Sequence, residues 1–517
     1  MAQLHPGGSR GCEQAARGLW WRQRRAGCTV PAALALAFIL VHTALSGARR
    51  TAGAHLAHEA AAESAGGRAI DVDELYFLVV GDWGAPRERP EMKSSQRLVA
   101  RAMELVSQLN AGNPPRFVLN LGDSFYLNGI TSSTDSRLGE NFETTFSEAP
   151  TLAKLPWLSV LGNHDCRGNV SALLAVGGLA RDATSLEGAS LGNPGGAGAE
   201  TAYRLPSRFW AWRLSLGGSD SRTGSGPAEA GSQPPVALSR SSSSRRRLGS
   251  SRHGLQIALT DTCSLVCERG AESAEEPRVL QDVLGVLRHE PLTPERWRSW
   301  QAGQAAWPRS AALPLGFNGS LGRQAECGRM SEEARAPPAS SQLAWLERRL
   351  LKARAASDWS IVAGHSPIRS VGEGHGDYPQ LLRTLLPRLH SGGAHIYFAG
   401  DEHSLQHLRE KRVHLFVVGA GGGLDLHPLQ TGARAGGAAS TRWAQSALGF
   451  ASVRATQSRL TVTMHTVTAA PADASPAGAE GAAALGHVLD DEGWRHAVHA
   501  AHELVLRRRL DGSVEEL

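Results

Sequence analysis

Cysteine is scarce in this sequence: six in 517 residues, scattered along the chain. That excludes a small scaffold held together by disulfides. Cys12 and Cys28 precede the first globular pattern, leaving Cys166, Cys263, Cys267 and Cys327, whose pairing one sequence does not give. A dominant charge is also missing. The net charge is +5, and the basic excess sits in runs such as Arg22–Arg25, Arg245–Arg247 and Arg507–Arg509. There is no basic stripe interleaved with aromatic residues, which argues against a nucleic-acid partner. No apolar run of spanning length follows Leu45, so several membrane crossings are excluded.

The amino terminus carries a recognisable pattern. Arg17, Arg22, Arg24 and Arg25 precede an apolar run from Val30 to Leu45, and small residues Ser46-Gly47-Ala48 follow. This order fits a cleaved secretory signal first. The long leader, and a run just short of a full span, also fit an uncleaved signal anchor or a buried segment. The remainder is then expected to be lumenal or extracellular. There the sequons Asn169-Val170-Ser171 and Asn318-Gly319-Ser320 could carry glycans.

Apolar residues make up 41% of the chain, enough for a sizeable core. Residues 1–70 read as signal or anchor and linker, 71–467 as one catalytic domain, and 468–517 as a tail with a short helix near Trp494–Leu506. Within the domain, about 214–252 reads as a disordered insertion rich in Ser, Arg and Gly, and about 268–340 as a second disordered insertion. Leu75–Val80, Phe117–Leu121, Trp157–Leu161, Leu255–Leu259, Trp359–Ala363, Ile396–Ala399, Leu415–Val418 and Leu460–Met464 read as strands. Leu98, Ala102, Leu105 and Leu109 recur at helical spacing, and further helices are expected at Leu343–Leu350 and Leu381–Leu389. Strand, helix and strand in this order indicate an α/β sheet.

Five short motifs stand where an expected strand ends: Gly81-Asp82-Trp83-Gly84, Gly122-Asp123-Ser124-Phe125-Tyr126, Gly162-Asn163-His164-Asp165, Gly364-His365-Ser366-Pro367 and Gly400-Asp401-Glu402-His403. Open α/β sheets gather their sites at the carboxyl ends of strands, and the leading glycines permit sharp turns there. Singly, each motif is an ordinary turn. In combination they supply carboxylate and phenolate oxygens, which suit Fe(III), and imidazole and amide donors, which suit Fe(II), Zn or Mn. A carboxylate can bridge two ions ~3.5–4 Å apart. The set lacks a thiolate, which argues against a structural zinc site.

These motifs resemble those of the calcineurin-like metallophosphoesterases, and specifically the small, tartrate-resistant purple acid phosphatases. The likeness extends over Phe117–Asn169, Leu343–Leu408 and Leu448–Thr466, and Tyr126 in the second motif is its most specific mark. It implies a four-layer α/β/β/α sandwich of two mixed sheets flanked by helices. It also implies an acid phosphatase that cleaves phosphate monoesters by attack of a metal-bound hydroxide at a binuclear centre, Fe(III) plus divalent Fe, Zn or Mn. Asp82, Tyr126 and His403 would hold the ferric ion, and Asp123 would bridge. Asn163, His365 and the residue at 401 would hold the divalent ion. His164, and His375 after a one-residue insertion, would stand in the outer sphere.

The sequence departs from the pattern at one ligand. The family reads Gly-His-Asp-His where this chain has Gly400-Asp401-Glu402-His403. Asp401 would still coordinate, or leave the second site weak, or mark a membrane-anchored, phosphatase-like scaffold with lost catalysis. Two cysteines also depart. Cys166 reads as a bystander thiol, and Cys327 as a substitute partner for Cys267, whose usual partner near Tyr378 is absent.

Overall fold

A computed structural model describes residues 73–86, 92–147, 149–178, 203–217, 253–267, 327–331, 334, 339–430, 440–469, 484–489, 495–509 and 511–517. Val30–Leu45, Asn318, Arg245–Arg247 and most of both insertions lie outside these residues. Among the described residues, no helix is long and apolar enough to cross a membrane.

The strand Leu75–Val80 (β1) is buried at every residue, as an uninterrupted apolar run requires when both faces are covered. It pairs in parallel with β2 (Val118–Asn120), which pairs with β3 (Trp157–Ser159) and then β4 (Tyr203–Arg204). On its other side it meets β12 (Leu448–Ala455) antiparallel, followed by β13 (Arg459–Ala469), β15 (Arg495–Arg508) and β14 (Ala484–Leu489), with β16 (Val514–Glu516) on β15. The second sheet has seven strands. Its order is β11 (Ser440–Gln445), β9 (Leu405–Glu410), β10 (Val413–Val418), β8 (Ile396–Ala399), β7 (Trp359–Ala363), β6 (Gly254–Leu259) and β5 (Trp210–Ser215).

One face of each sheet closes on the other. Phe77, Val79, Leu119, Ile257, Ile361, Phe398, Phe416, Val453 and Val462 form a shared core. The outer face of the first sheet packs on helix α1 (Met92–Leu109) through Tyr76, Leu78 and Val80. That of the second packs on α4 (Ala339–Ala355), α5 (Pro379–Thr384) and α6 (Leu386–Gly392). Two mixed sheets between helices give the expected four layers. The shorter helices α2 (Val170–Gly178) and α3 (Thr262–Val266) lie between α1 and α4 in the chain.

Three local readings change. The buried stripe of α1 is Leu98, Val99, Ala102, Met103 and Val106, whereas Leu109 is 56% exposed beyond the sheet. The single helix expected over Leu381–Leu389 is divided into α5 and α6, with Pro387 near the start of the second, where a missing N–H costs nothing. Trp494–Leu506, expected as a helix, lies largely in the strand β15. Leu504 and Leu506 alternate into the core, and the free edge of β13 supplies the hydrogen-bonding partner.

Several histidines are buried in this frame away from the motifs. His407 Nε2 lies 2.9 Å from His414 Nδ1 and its Nδ1 lies 2.7 Å from His502 Nε2, linking β9, β10 and β15. Burial lowers His395 and His465 to about 4. Burial also lowers His414 to about 3, with help from the Arg409 and Arg442 charges. These rings are neutral when folded, whereas the unfolded chain takes up protons below about pH 6.5. Stability is therefore fully present above pH 6.5 and is lost as pH falls toward 4, by roughly 3 kcal/mol for each of His395 and His465. The expected result is a melting temperature that declines steadily from pH 7 to 5, and a flat profile would contradict it.

Candidate metal centre

The five motifs do meet. Asp82 follows β1, Asp123 and Tyr126 follow β2, and Asn163 and His164 follow β3. His365 follows β7, while Asp401 and His403 follow β8. The parallel pairings β1–β2–β3 and β7–β8 point these strand ends at one locus.

The turns themselves are unusual. Asp82, Asp123 and Asp401 adopt φ of 57°, 53° and 66°, a left-handed conformation costing about 1–3 kcal/mol for a residue with a Cβ. The leading glycines serve mainly another purpose, that of space. A Cβ on Gly162 would stand 2.1 Å from Asp123 Oδ1, and one on Gly400 would stand 2.3 Å from Asp82 Oδ2. Glycine lets the loops close on the carboxylates.

The donor atoms fall into two groups. Tyr126 Oη lies 3.1 Å from Asp82 Oδ1 and 3.3 Å from His403 Nε2, which is 3.6 Å from Asp82 Oδ1. His365 Nε2 lies 3.0 Å from Asn163 Oδ1 and 3.5 Å from both Asp123 Oδ2 and Asp401 Oδ1. Such mutual spacings suit donors that share one ion through bonds of about 2.0–2.2 Å. Asp82, Asp123 and His365 also form a compact buried group able to hold a metal. His164 stands beside them, its Nδ1 2.7 Å from the Leu127 carbonyl and its Nε2 3.9 Å from Asp123 Oδ2. His375 is half-exposed, with Nε2 3.7 Å from Asp401 Oδ1.

Packing three carboxylates and two imidazoles together perturbs all of them. Burial raises Asp82. Burial also opposes ionisation of Asp123, but the His365 and His164 charges outweigh it and hold Asp123 below its ordinary value. For Asp401, burial is outweighed by the His375 charge and by hydrogen bonds from His365 and Tyr378. Burial and the two flanking carboxylates push the Tyr126 phenol up, and only a cation could counter that.

Several residues that organise the site carried no assigned role in the sequence. Asp165 is buried, and its carboxylate accepts N–H bonds from Gly162, Ser124 and Phe125, tying the β2 loop to the β3 loop. Burial and the Asp123 charge raise its pKa to about 7. Glu402, fully buried, accepts the backbone N–H groups of Gly374, His375 and Gly376 at 2.8–3.0 Å, and so fixes the loop carrying His375. Its Oε1 lies 2.9 Å from His427 Nδ1, and the His427 ring stacks on His403 at 4.2 Å. Burial alone would raise Glu402, but the His427 hydrogen bond and the His375 charge hold it at about 2. Asp165 and Glu402 lie inside the motifs already singled out, whereas His427 has no local signal.

Cys166 is no bystander thiol. It is disulfide-bonded to Cys263, joining the Asn163–His164 loop to α3. There the Thr262 hydroxyl accepts the N–H groups of His365 and Ser366. Cys267 pairs with Cys327, the substitute the sequence offered.

Residues 75–208 match the model of the calcineurin-like phosphoesterase family. The chain is 27% identical over 353 residues to tartrate-resistant acid phosphatase type 5 of Sus scrofa, covering 68% of this chain and 71% of that one. A stretch of 100 residues is 45% identical to purple acid phosphatase 3 of Arabidopsis thaliana, 19% of this chain and 24% of that one. A solved structure described as GAP50, the anchor in the inner membrane complex of Plasmodium, is similar at TM-score 0.45 and 14% identity, over 76% of this chain and 84% of that one. That last likeness speaks to neither activity nor partner. The motif order, the two-sheet fold and the sequence relatives agree: the chain carries a calcineurin-like phosphoesterase domain and is similar to the purple acid phosphatases, which supports a phosphatase hydrolase.

Proposed function

We propose that the chain is an acid phosphatase that hydrolyses phosphate monoesters at a two-ion centre. The observation that carries this is the division of the donor atoms into two groups, Asp82–Tyr126–His403 and Asn163–His365–Asp401, with Asp123 close to both Asp82 and His365. The first group, with its phenolate and carboxylate, suits Fe(III), and the second suits divalent Fe, Zn or Mn. Two such cations would supply charge neutralisation for the phosphate and an acidified water as nucleophile. The chain's own residues do the rest. Asp123, whose Oδ1 is taken by the His164 N–H and whose Oδ2 faces His365, would serve both ions. His164, anchored through Nδ1, directs Nε2 into the site, where it can protonate the departing alkoxide. His375, on the loop gripped by Glu402, offers a second donor at the mouth.

Purified protein is expected to contain two metal ions and to hydrolyse p-nitrophenyl phosphate in mild acid. A visible absorption band should disappear in Tyr126→Phe. His164→Ala should lower kcat by about 10²–10⁴-fold with the band intact. A second reading rests on the extra negative charge at Asp401, which reduces the electrophilic pull of the divalent ion. On that reading the chain is a phosphatase-shaped scaffold, anchored through Val30–Leu45. Two bound ions with no turnover, and none restored by Asp401→His, would favour the scaffold over the enzyme. Amino-terminal sequencing of the mature protein distinguishes a secreted form, cut near Ala48, from an anchored one.

A further inference from the structure

Replacing an imidazole by a carboxylate at position 401 creates a problem of denticity. An imidazole offers one nitrogen to a metal, whereas a free carboxylate offers two oxygens and can rotate between them. The structure contains a group that removes this freedom. Tyr378 Oη donates a hydrogen bond of 2.5 Å to Asp401 Oδ2, while Oδ1 faces His365 Nε2 at 3.5 Å. Both side chains are buried, Asp401 at 2% and Tyr378 at 5% exposure.

Each partner is fixed from behind. The Asp401 N–H donates to Asp82 Oδ2 at 2.9 Å, in a turn where Asp401 has a φ of 66°. Tyr378 precedes Pro379 as the cap of α5, and its carbonyl accepts the Leu382 N–H. The phenol therefore projects from a helix start held by its own backbone bonds.

We propose that Tyr378 is a positioning residue that makes Asp401 a one-oxygen ligand, with Oδ2 occupied by the phenol and Oδ1 left for a divalent cation. This rests on the two-ion reading above. The hydrogen bond also withdraws charge from the carboxylate, offsetting part of the negative charge that Asp401 adds in place of a neutral imidazole. Ligating carboxylates are commonly oriented by such outer partners, whose loss typically costs about 10–100-fold in metal affinity.

The bland account is that Tyr378 merely satisfies a buried carboxylate. Zinc binding separates the two. Full-length protein carrying the ferric ion is titrated with Zn²⁺ by equilibrium dialysis, as wild type, Tyr378→Phe, Asp401→Ala and the double variant, with melting temperatures of the metal-free forms alongside. Tyr378→Phe is expected to weaken zinc binding at least about tenfold while the visible band persists. In the Asp401→Ala background the same change should have no further effect. Zinc affinity in Tyr378→Phe within twofold of wild type, with only the melting temperature lowered, overturns the proposal and leaves the two-ion reading standing. Wild-type protein that takes up no second ion overturns that reading itself, and this proposal with it.

Discussion

Asp123→Asn is expected to remove the centre as a functional unit: both ions lost or weakly held, and kcat/KM lowered at least about 10³-fold. The reason is its position between two sets of donors. Its Oδ2 lies 3.5 Å from His365 Nε2, and its Oδ1 accepts the His164 N–H at 2.9 Å. Burial opposes the charge, yet neighbouring histidines keep the carboxylate ionised. An amide keeps the shape and removes that charge, leaving each ion short of a donor. Removing a single electrostatic donor already costs about 10²–10³-fold in other hydrolases, and on the proposed reading this one would serve both ions. Metal content by mass spectrometry, read with turnover, tests it. An Asn variant that holds two ions and turns over within tenfold of wild type would falsify the bridging role.

Trp83→Ala should give the largest loss of stability, about 3–5 kcal/mol. Trp83 follows Asp82 directly and is 1% exposed. Its ring packs against Phe142, Phe146 and Trp157 at 5.4–5.7 Å, an aromatic cluster beneath the first sheet's strand ends. The indole Nε1 donates to Asn120 Oδ1 at 2.9 Å, and the Asn120 amide in turn reaches the Ser124 and Ser159 hydroxyls. Alanine opens a cavity and removes a hydrogen bond from a buried network at the same time. Because the cluster supports the turn holding Asp82, metal retention should fall with stability. Denaturant unfolding measures the first and dialysis the second. Trp83→Phe should recover most of the packing and forfeit about 1 kcal/mol for the missing donor. A loss below 1 kcal/mol in Trp83→Ala would mean the cluster is not what holds the turn.

Much of this protein could be read along the chain because the information is local. A fully apolar run such as Leu75–Val80 can only be a strand covered on both faces, and a Gly-Asp turn after it delivers a carboxylate to the sheet's edge. Five such turns in order bring candidate donors to one locus, with Asp82, Tyr126 and His403 in mutual contact. What escaped were pairings between distant segments. The Cys166–Cys263 bond spans 97 residues, and the Tyr378–Asp401 and Glu402–His427 contacts join loops with no shared periodicity. The strand β15 resembled a helix in isolation, and only the open edge of β13 selected the extended form. The sequence alone therefore determined which atoms could serve as ligands. Tertiary structure decided what those atoms meet, as where a phenol from another loop docks on Asp401 Oδ2, because such contacts join segments far apart in the chain.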